Sequence, residues 1–378
     1  MVSFESKMTD ARSGGKGSDP GGPAGAPENP AGTDGFEFVE YAAPDPEALG
    51  QLFLQLGFAR VAQHRSKRVT LYRQGEINFI INAEPGSFGQ AFARVHGPCI
   101  CALGLRVRDA GHAWRRAVEL GAWGVEARVG PMELNIPAIK GVGDSLLYLV
   151  DRYGPRGTIY DVDFVRLPEA PSEGRAPGVG LTAVDHLTHN VHRGRLNEWA
   201  EFYERLFGFR EIRTFDIEGR ATGLKSRALA SPCGKIRIPI NESSDDRSQI
   251  QEYLDAYKGE GIQHVALATD DIHASVEALR GRGVVFLDTP EAYYDKVDER
   301  VPGHREDLPR LRANRILIDG GPARGEGLLL QIFTDAVVGP IFFEIIQRKG
   351  NQGFGEGNFQ ALFESMEEDQ IRRGVLEP

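Results

Sequence analysis

An internal repeat constrains this chain more than any other feature. Two stretches each open on a short apolar strand, FEFVEYA and AVDHLTHNV. Each continues into a helix ending on nearly the same phrase, LFLQLGF (52–58) and FYERLFGF (202–209). The later helix sets Leu196, Trp199, Tyr203 and Leu206 at helical spacing, with Gly208 as its stop. Each stretch then repeats a strand, an acidic turn and a helix, CALGLRVRDAGHAWRRAVELGA and HVALATDDIHASVEALRGRG, and closes on strands, TIYDVDFVR and PIFFEIIQRK. A strand–helix–strands unit occurring twice per half predicts four βαβββ modules. Antiparallel strands with helices outside would curl each half into an open barrel, an α+β architecture.

Two segments fall outside the repeat. Residues 1–34, rich in Gly, Pro, Ala, Ser and Asp, cannot bury enough apolar surface to offset chain entropy and read as a disordered tail. PEAPSEGRAPGVG, 168–180, reads as a linker. The expected layout is therefore a tail (1–34), an N-terminal barrel domain (35–167), the linker (168–180) and a C-terminal barrel domain (181–378). A length of 378 residues suits two such domains.

A formal net charge of −10 argues against nucleic-acid or anionic-membrane partners, which need a basic face. A small anionic substrate stays possible where a buried metal supplies positive charge. Cys99, Cys101 and Cys233 fit neither a disulfide framework nor a zinc ribbon. With no apolar run of about 18 residues and no signal pattern, the expectation is a cytoplasmic protein without a membrane span.

Among the histidines, His64, His96, His112, His192, His273 and His304 are expected in loops or on polar helix faces. His186 and His264 instead lie in apolar strands, and Glu344 interrupts a third, PIFFEIIQ, where a carboxylate is costly to bury unless paired or bound to metal. Singly, each has a bland reading as a core or edge residue. Their spacing says more. His264 follows His186 by 78 residues and Glu344 follows His264 by 80, and each lies on a strand that opens or closes a repeat unit. Two imidazoles and one carboxylate facing one cavity would leave coordination positions open and suit non-haem Fe(II). The first-half counterparts, near Glu40, Ala102 and Val162, cannot bind a metal, so the second half is expected to be catalytic. His189, three residues after His186, falls on the opposite strand face and is expected to support rather than ligate.

After QRKG, Phe359, Leu362, Phe363 and Met366 fall at i, i+3, i+4 and i+7, predicting a helix with Asn358 as N-cap and Gly374 as stop. On pattern alone this is a packing helix that closes the barrel. Gly350, Gly353, Gly355 and Gly357 before it would let it pivot.

The motifs VDHLTHNV, FYERLFGFRE, TGLKSRALASP, RIPINE, GEGIQHVALATDDI, LLLQIFT, FFEIIQRKG and GFGEGNFQALFE, in this order, resemble the bacterial 4-hydroxyphenylpyruvate dioxygenases of the vicinal-oxygen-chelate superfamily. The likeness covers nearly all of residues 36–376; the N-terminal tail departs from it. The resemblance implies an Fe(II) enzyme that converts 4-hydroxyphenylpyruvate and O2 to homogentisate and CO2 by oxidative decarboxylation, ring hydroxylation and side-chain migration. It implies His186, His264 and Glu344 as iron ligands. It places Ser226, Pro239, Asn241, Gln249, Gln263 and Gln331 around the substrate, with Phe333, Phe342, Phe354 and Phe359 as an aromatic wall. The glycine-rich stretch and terminal helix, with Gly355, Asn358 and Phe363, would form a gate. Relatives assemble as homo-oligomers, so a dimer or tetramer is expected. The nearest rival is 4-hydroxymandelate synthase, against which the bulky Phe333 speaks. Extradiol dioxygenases and glyoxalases lack the terminal GNFQALFE helix, and a metal-free ligand-binding module leaves the ligand triad unexplained.

Overall fold

The structure is a computed structural model that describes residues 28–126, 132–172, 178–218, 223–244, 246, 248–358 and 361. The chain runs through four modules. The first is β1 (Thr33–Ala42), α1 (Pro46–Gln55), β2 (Ala59–His64), β3 (Val69–Gln74) and β4 (Ile77–Asn82), followed by α2 (Phe88–His96). The second is β5 (Cys99–Val107), α3 (Ala110–Glu119), β6 (Gly124–Val125), β7 (Ala138–Lys140) and β8 (Leu146–Val150), followed by α4 (Tyr160–Asp163) and β9 (Phe164–Arg166). The third is β10 (Leu181–Val191), α5 (Leu196–Phe207), β11 (Arg210–Glu218), β12 (Gly223–Ala230) and β13 (Arg237–Ser243), followed by α6 (Gln249–Tyr257). The fourth opens with β14 (Gly261–Thr269) and α7 (Ile272–Gly281). It inserts α8 (Glu291–Asp295), α9 (Val297–Arg300) and α10 (Leu308–Asn314), then ends on β15 (Leu317–Gly320), β16 (Leu328–Phe333) and β17 (Phe342–Lys349).

The strands form two sheets, one ordered β6-β7-β8-β5-β1-β4-β3-β2-β9 and the other β11-β12-β13-β10-β14-β17-β16-β15. In every module the first strand lies beside the last. These pairs are parallel for β5 with β8, β10 with β13 and β14 with β17, whereas the remaining pairs described within modules are antiparallel. The sheets are therefore mixed rather than wholly antiparallel. The module helix lies between the first strand and the rest, giving the parallel return that a tight hairpin cannot.

Local chemistry explains the helix ends. Asp45, Asp109 and Asp271 cap α1, α3 and α7 by accepting from Ala48, His112 and Ala274 N–H groups. Gly208, left-handed at φ 73°, ends α5 as expected. The closing segment of the second module differs from expectation. TIYDVDFVR is not one strand, because Thr158 and Asp161 cap each other (Thr158 N–H to Asp161 Oδ2 2.7 Å, Asp161 N–H to Thr158 Oγ1 3.3 Å) and start α4. The strand equivalent to β17 is β8. Register aligns Ala102 with Leu146 and Gly104 with Tyr148, as His264 with Phe342 and Ala266 with Glu344. Tyr148, not Val162, is therefore the counterpart of Glu344.

The expected tail and linker both end earlier than composition suggests. Strand β1 starts at Thr33, whose N–H and Oγ1 donate to Asn29 Oδ1 at 2.9 and 3.2 Å. Val179 is buried and donates its N–H to Gln74 Oε1 at 2.6 Å. Residues 1–27 and 173–177 lie outside the described residues.

The chain divides into two compact units, each with a module from either side of residues 168–180. One comprises Met1–Glu40, Ile100–Phe164 and His186–Gln263; the other comprises Tyr41–Cys99, Val165–Asp185 and His264–Pro378. In the first, Tyr203, Phe207 and Phe209 pack together, and Tyr253 stacks on Tyr257 with ring centres 5.1 Å apart. In the second, Tyr41, Phe53, Phe58 and Phe79 form a ring cluster, and Phe79 stacks on Phe343 at 5.9 Å.

Candidate metal centre

Strands β10, β14 and β17 are neighbours in one sheet. β10 is buried over residues 185–191, β14 over 264–267 and β17 over 343–346, so a polar side chain there is kept from bulk water. His186, His264 and Glu344, one on each strand, are 2%, 8% and 2% exposed. One ligand atom from each lies within 4.8 Å of the others, and His264 Nε2 is 3.5 Å from a Glu344 carboxylate oxygen. Register explains part of this gathering: Glu344 pairs with Ala266, two residues along β14 from His264 and on the same face. Two neutral imidazoles and a carboxylate are the donor chemistry of a divalent ion with open coordination positions, so these residues fit a catalytic metal. Phe342 stacks on the His264 ring at 4.8 Å, and Phe333 meets it edge-on at 6.4 Å. These rings restrict the imidazole and line the centre with apolar surface.

The profile described as hydroxyphenylpyruvate dioxygenase, N-terminal, matches residues 27–165. That of the glyoxalase/bleomycin resistance protein/dioxygenase superfamily matches residues 183–297. The chain is 62% identical to hemolysin VllY of Vibrio vulnificus over 92% of its own length and 98% of that protein. It is 60% identical to 4-hydroxyphenylpyruvate dioxygenase of Pseudomonas aeruginosa over 92% of its length and 97% of that enzyme. The chain belongs to the 4-hydroxyphenylpyruvate dioxygenase family. It is thus an oxidoreductase of the dioxygenase kind, built on vicinal-oxygen-chelate modules, with a potential metal site in its second half. A solved triple mutant of 4-hydroxymandelate synthase from Streptomyces coelicolor is 29% identical over 89% of the chain and 99% of that structure, with a TM-score of 0.76.

The other residues that the dioxygenase resemblance singled out are not gathered equally. Ser226 and Asn241 are register partners on β12 and β13, and Pro239 lies two residues before Asn241 on the same strand face. Gln331, on β16, is 1% exposed. Gln263 is half-buried directly before His264. Gln249 stands apart: it is exposed at the start of α6. Phe354 and Gly355 are buried, and a Cβ on Gly355 (φ 82°) would collide with the Gln331 amide, so the glycine is what lets the chain cross that side chain. Asn358 is not an N-cap: residues 356–358 are already helical, and its Oδ1 accepts from Tyr293 Oη at 2.6 Å. Phe359, Phe363 and most of the expected terminal helix lie outside the described residues.

His189 behaves as its strand parity requires. It is fully buried on the face away from His186, bonded through Nε2 to Tyr203 Oη at 2.8 Å, and burial drives its pKa down to about 3. His273, expected in a loop or on a polar helix face, is instead buried on α7, and His304 lies in a loop, as expected, but is buried. Nε2 of His304 pairs with Asp298 at 2.8 Å, and His273 lies beside Asn314, which bonds Glu277.

Sequence reasoning missed one ion pair next to the metal centre. Arg348 donates to both carboxylate oxygens of Asp185 at 2.7 and 2.8 Å. It also donates to the backbone oxygens of Asn351 and Gly353 at 3.2 and 2.6 Å, and lies over the Phe354 ring at 5.5 Å. Burial opposes the charge on Arg348, but Asp185 outweighs it and holds the arginine pKa above its ordinary value. The signal was present: Asp185 directly precedes His186, and Arg348 follows Glu344 by four residues in FFEIIQRKG.

Proposed function

We propose that this enzyme holds Fe(II) on His186, His264 and Glu344 and converts 4-hydroxyphenylpyruvate and O2 to homogentisate and CO2, a step of tyrosine catabolism. The observation that carries this reading is the buried, pre-gathered triad, with ligand atoms within 4.8 Å, in a chain 60% identical to a named 4-hydroxyphenylpyruvate dioxygenase. Ferrous iron supplies the oxygen chemistry that side chains lack. The protein supplies orientation. The +2 ion, Glu344 at −1 and a keto-acid carboxylate at −1 sum to zero, so a bound substrate needs no arginine clamp and tolerates Phe-lined walls. Phe333 and Phe342, already against His264, would restrict the substrate ring. Ser226, Asn241 and Gln331 can bond a phenol without adding charge.

The N-terminal half is read as the metal-free domain, the C-terminal half as the catalytic one, and the segment from Gly355 through Asn358, Phe359 and Phe363 as a gate over the substrate. The enzyme is read as a cytoplasmic homodimer or homotetramer. Among the described residues no helix is long and apolar enough to cross a membrane. Bulk at Phe333 favours ring hydroxylation over the benzylic hydroxylation of a 4-hydroxymandelate synthase.

Anaerobic Fe(II) titration followed by product identification tests the reading. One iron per chain, with homogentisate as product, is expected. His186→Ala and Glu344→Ala should lose iron and turnover while keeping the far-UV spectrum. A main product of 4-hydroxymandelate, or full turnover by either variant, would reject it.

A further inference from the structure

Strand β10 alternates between two environments. Leu187, His189 and Val191 point one way, and His189 is bonded to Tyr203 on α5, so that face is packed against the helix. His186 and Asn190 therefore share the opposite face. Asn190 is register-paired with Asn241, and Asn241 with Ser226, so Ser226, Asn241 and Asn190 form one row across β12, β13 and β10. Asn190 is fully buried, its Oδ1 accepts from Asn241 Nδ2 at 3.5 Å, and its own Nδ2 has no hydrogen-bond partner. A buried amide nitrogen left without a partner destabilises the fold, and native proteins keep such groups where a ligand completes the bonding.

We propose that Asn190 is a substrate-contacting specificity residue whose Nδ2 donates to the para-oxygen of an aryl keto acid chelated at the metal. This rests on the dioxygenase reading. Because Asn241 donates to Asn190 Oδ1, the pair offers Asn190 Nδ2 as a donor and Asn241 Oδ1 as an acceptor. A donor beside an acceptor complements a hydroxyl, which both accepts and donates. An unsubstituted ring satisfies neither. The distance also fits. Asn190 is four residues along β10 from His186, about 13 Å at the strand rise. That is the reach of a keto acid with a coordinate bond at one end and a hydrogen bond from its ring oxygen at the other.

The test is calorimetric binding of 4-hydroxyphenylpyruvate and of phenylpyruvate to the Fe(II)-loaded enzyme without oxygen, for the native chain, Asn190→Ala and Asn190→Ser. The native enzyme should prefer the hydroxylated acid. Asn190→Ala should reduce that preference about five- to hundred-fold, the range for leaving one buried hydrogen-bonding group without its partner. Its affinity for phenylpyruvate should stay unchanged. Asn190→Ser keeps a small donor, should lose less, and serves as the readout if the alanine variant does not fold. Equal weakening toward both acids would reduce Asn190 to a packing residue and overturn the proposal, as would an unchanged preference. Tight native binding without homogentisate in a parallel aerobic assay would reject the dioxygenase reading alone, since the binding comparison still decides Asn190.

Discussion

Replacing Arg348 by methionine should separate two functions of that side chain. Arg348 and Asp185 are 13% and 6% exposed, so the pair is shielded from solvent and salt. Arg348→Met keeps most of the volume and takes the guanidinium away from the buried Asp185. Breaking a buried pair from one side costs about 3–5 kcal/mol. Removing both charges in Arg348→Met/Asp185→Leu leaves neither charge of the pair buried alone, and such apolar replacements are close to neutral. Urea denaturation should therefore show a large loss in the single variant and recovery of most of it in the double one. Substrate affinity should not recover in parallel. Arg348 also holds the Asn351 and Gly353 carbonyls and lies over Phe354, and neither apolar replacement can restore those bonds. The double variant should remain stable with a raised KM for 4-hydroxyphenylpyruvate. A single variant that loses less than about 1 kcal/mol would show that the pair behaves as a screened surface bridge. A double variant that regains both stability and native KM would show that the bonds to residues 351–354 do not position the substrate wall.

Three other outcomes follow from the same geometry. The folded pKa of His189, about 3, lies below the ordinary 6.5, so its contribution is present above pH 6.5 and lost as pH falls toward 3. His189→Leu should flatten the fall in stability over that window by up to about 1.4 kcal/mol per pH unit, and an unchanged slope in acid titrations followed by urea melts would contradict the assignment. Gly355→Ala meets the Gln331 amide and a left-handed backbone, so it should raise KM several-fold and cost about 1 kcal/mol in urea; a native KM would show that the segment shifts freely there. Phe79→Ala should cost about 3–5 kcal/mol and also weaken Fe(II) binding in anaerobic titrations, because Phe79 packs on Phe343 beside Glu344; native iron affinity would uncouple the two.

The modules were legible because their signals are local: apolar strands, helices with Asp caps, and a glycine stop at Gly208. The parallel pairing of first and last strands was not, since periodicity gives a strand's faces and not its neighbour's direction. The misplaced closing strand of the second module has the same origin. The alternation in TIYDVDF suits a strand, and only the reciprocal Thr158–Asp161 cap shows the competing helix. For the site, repeat spacing pointed to His186, His264 and Glu344, which the fold brings together because strands that open or close modules lie side by side in one sheet. It could not find Asp185 with Arg348, or Asn190 with Asn241. Those pairs depend on which strands sit side by side and how one side chain curls over a strand end.

The first half carries a counterpart of the triad. Its positions are Glu40, Ala102 and Tyr148, and two of these cannot ligate as their counterparts do: alanine has no donor, and burial keeps the Tyr148 phenol protonated. The copy lacks the triad's donor set, yet the first module is structurally engaged. Phe79, on β4 of the first module, stacks against Phe343, and the strand alternation that sends Phe343 into that aromatic cluster sends Glu344 to the opposite face. A carboxylate ligand must be held to a fraction of an ångström by neighbours that cannot shift. The Phe79–Phe343 contact therefore helps hold β17, and with it Glu344, in place.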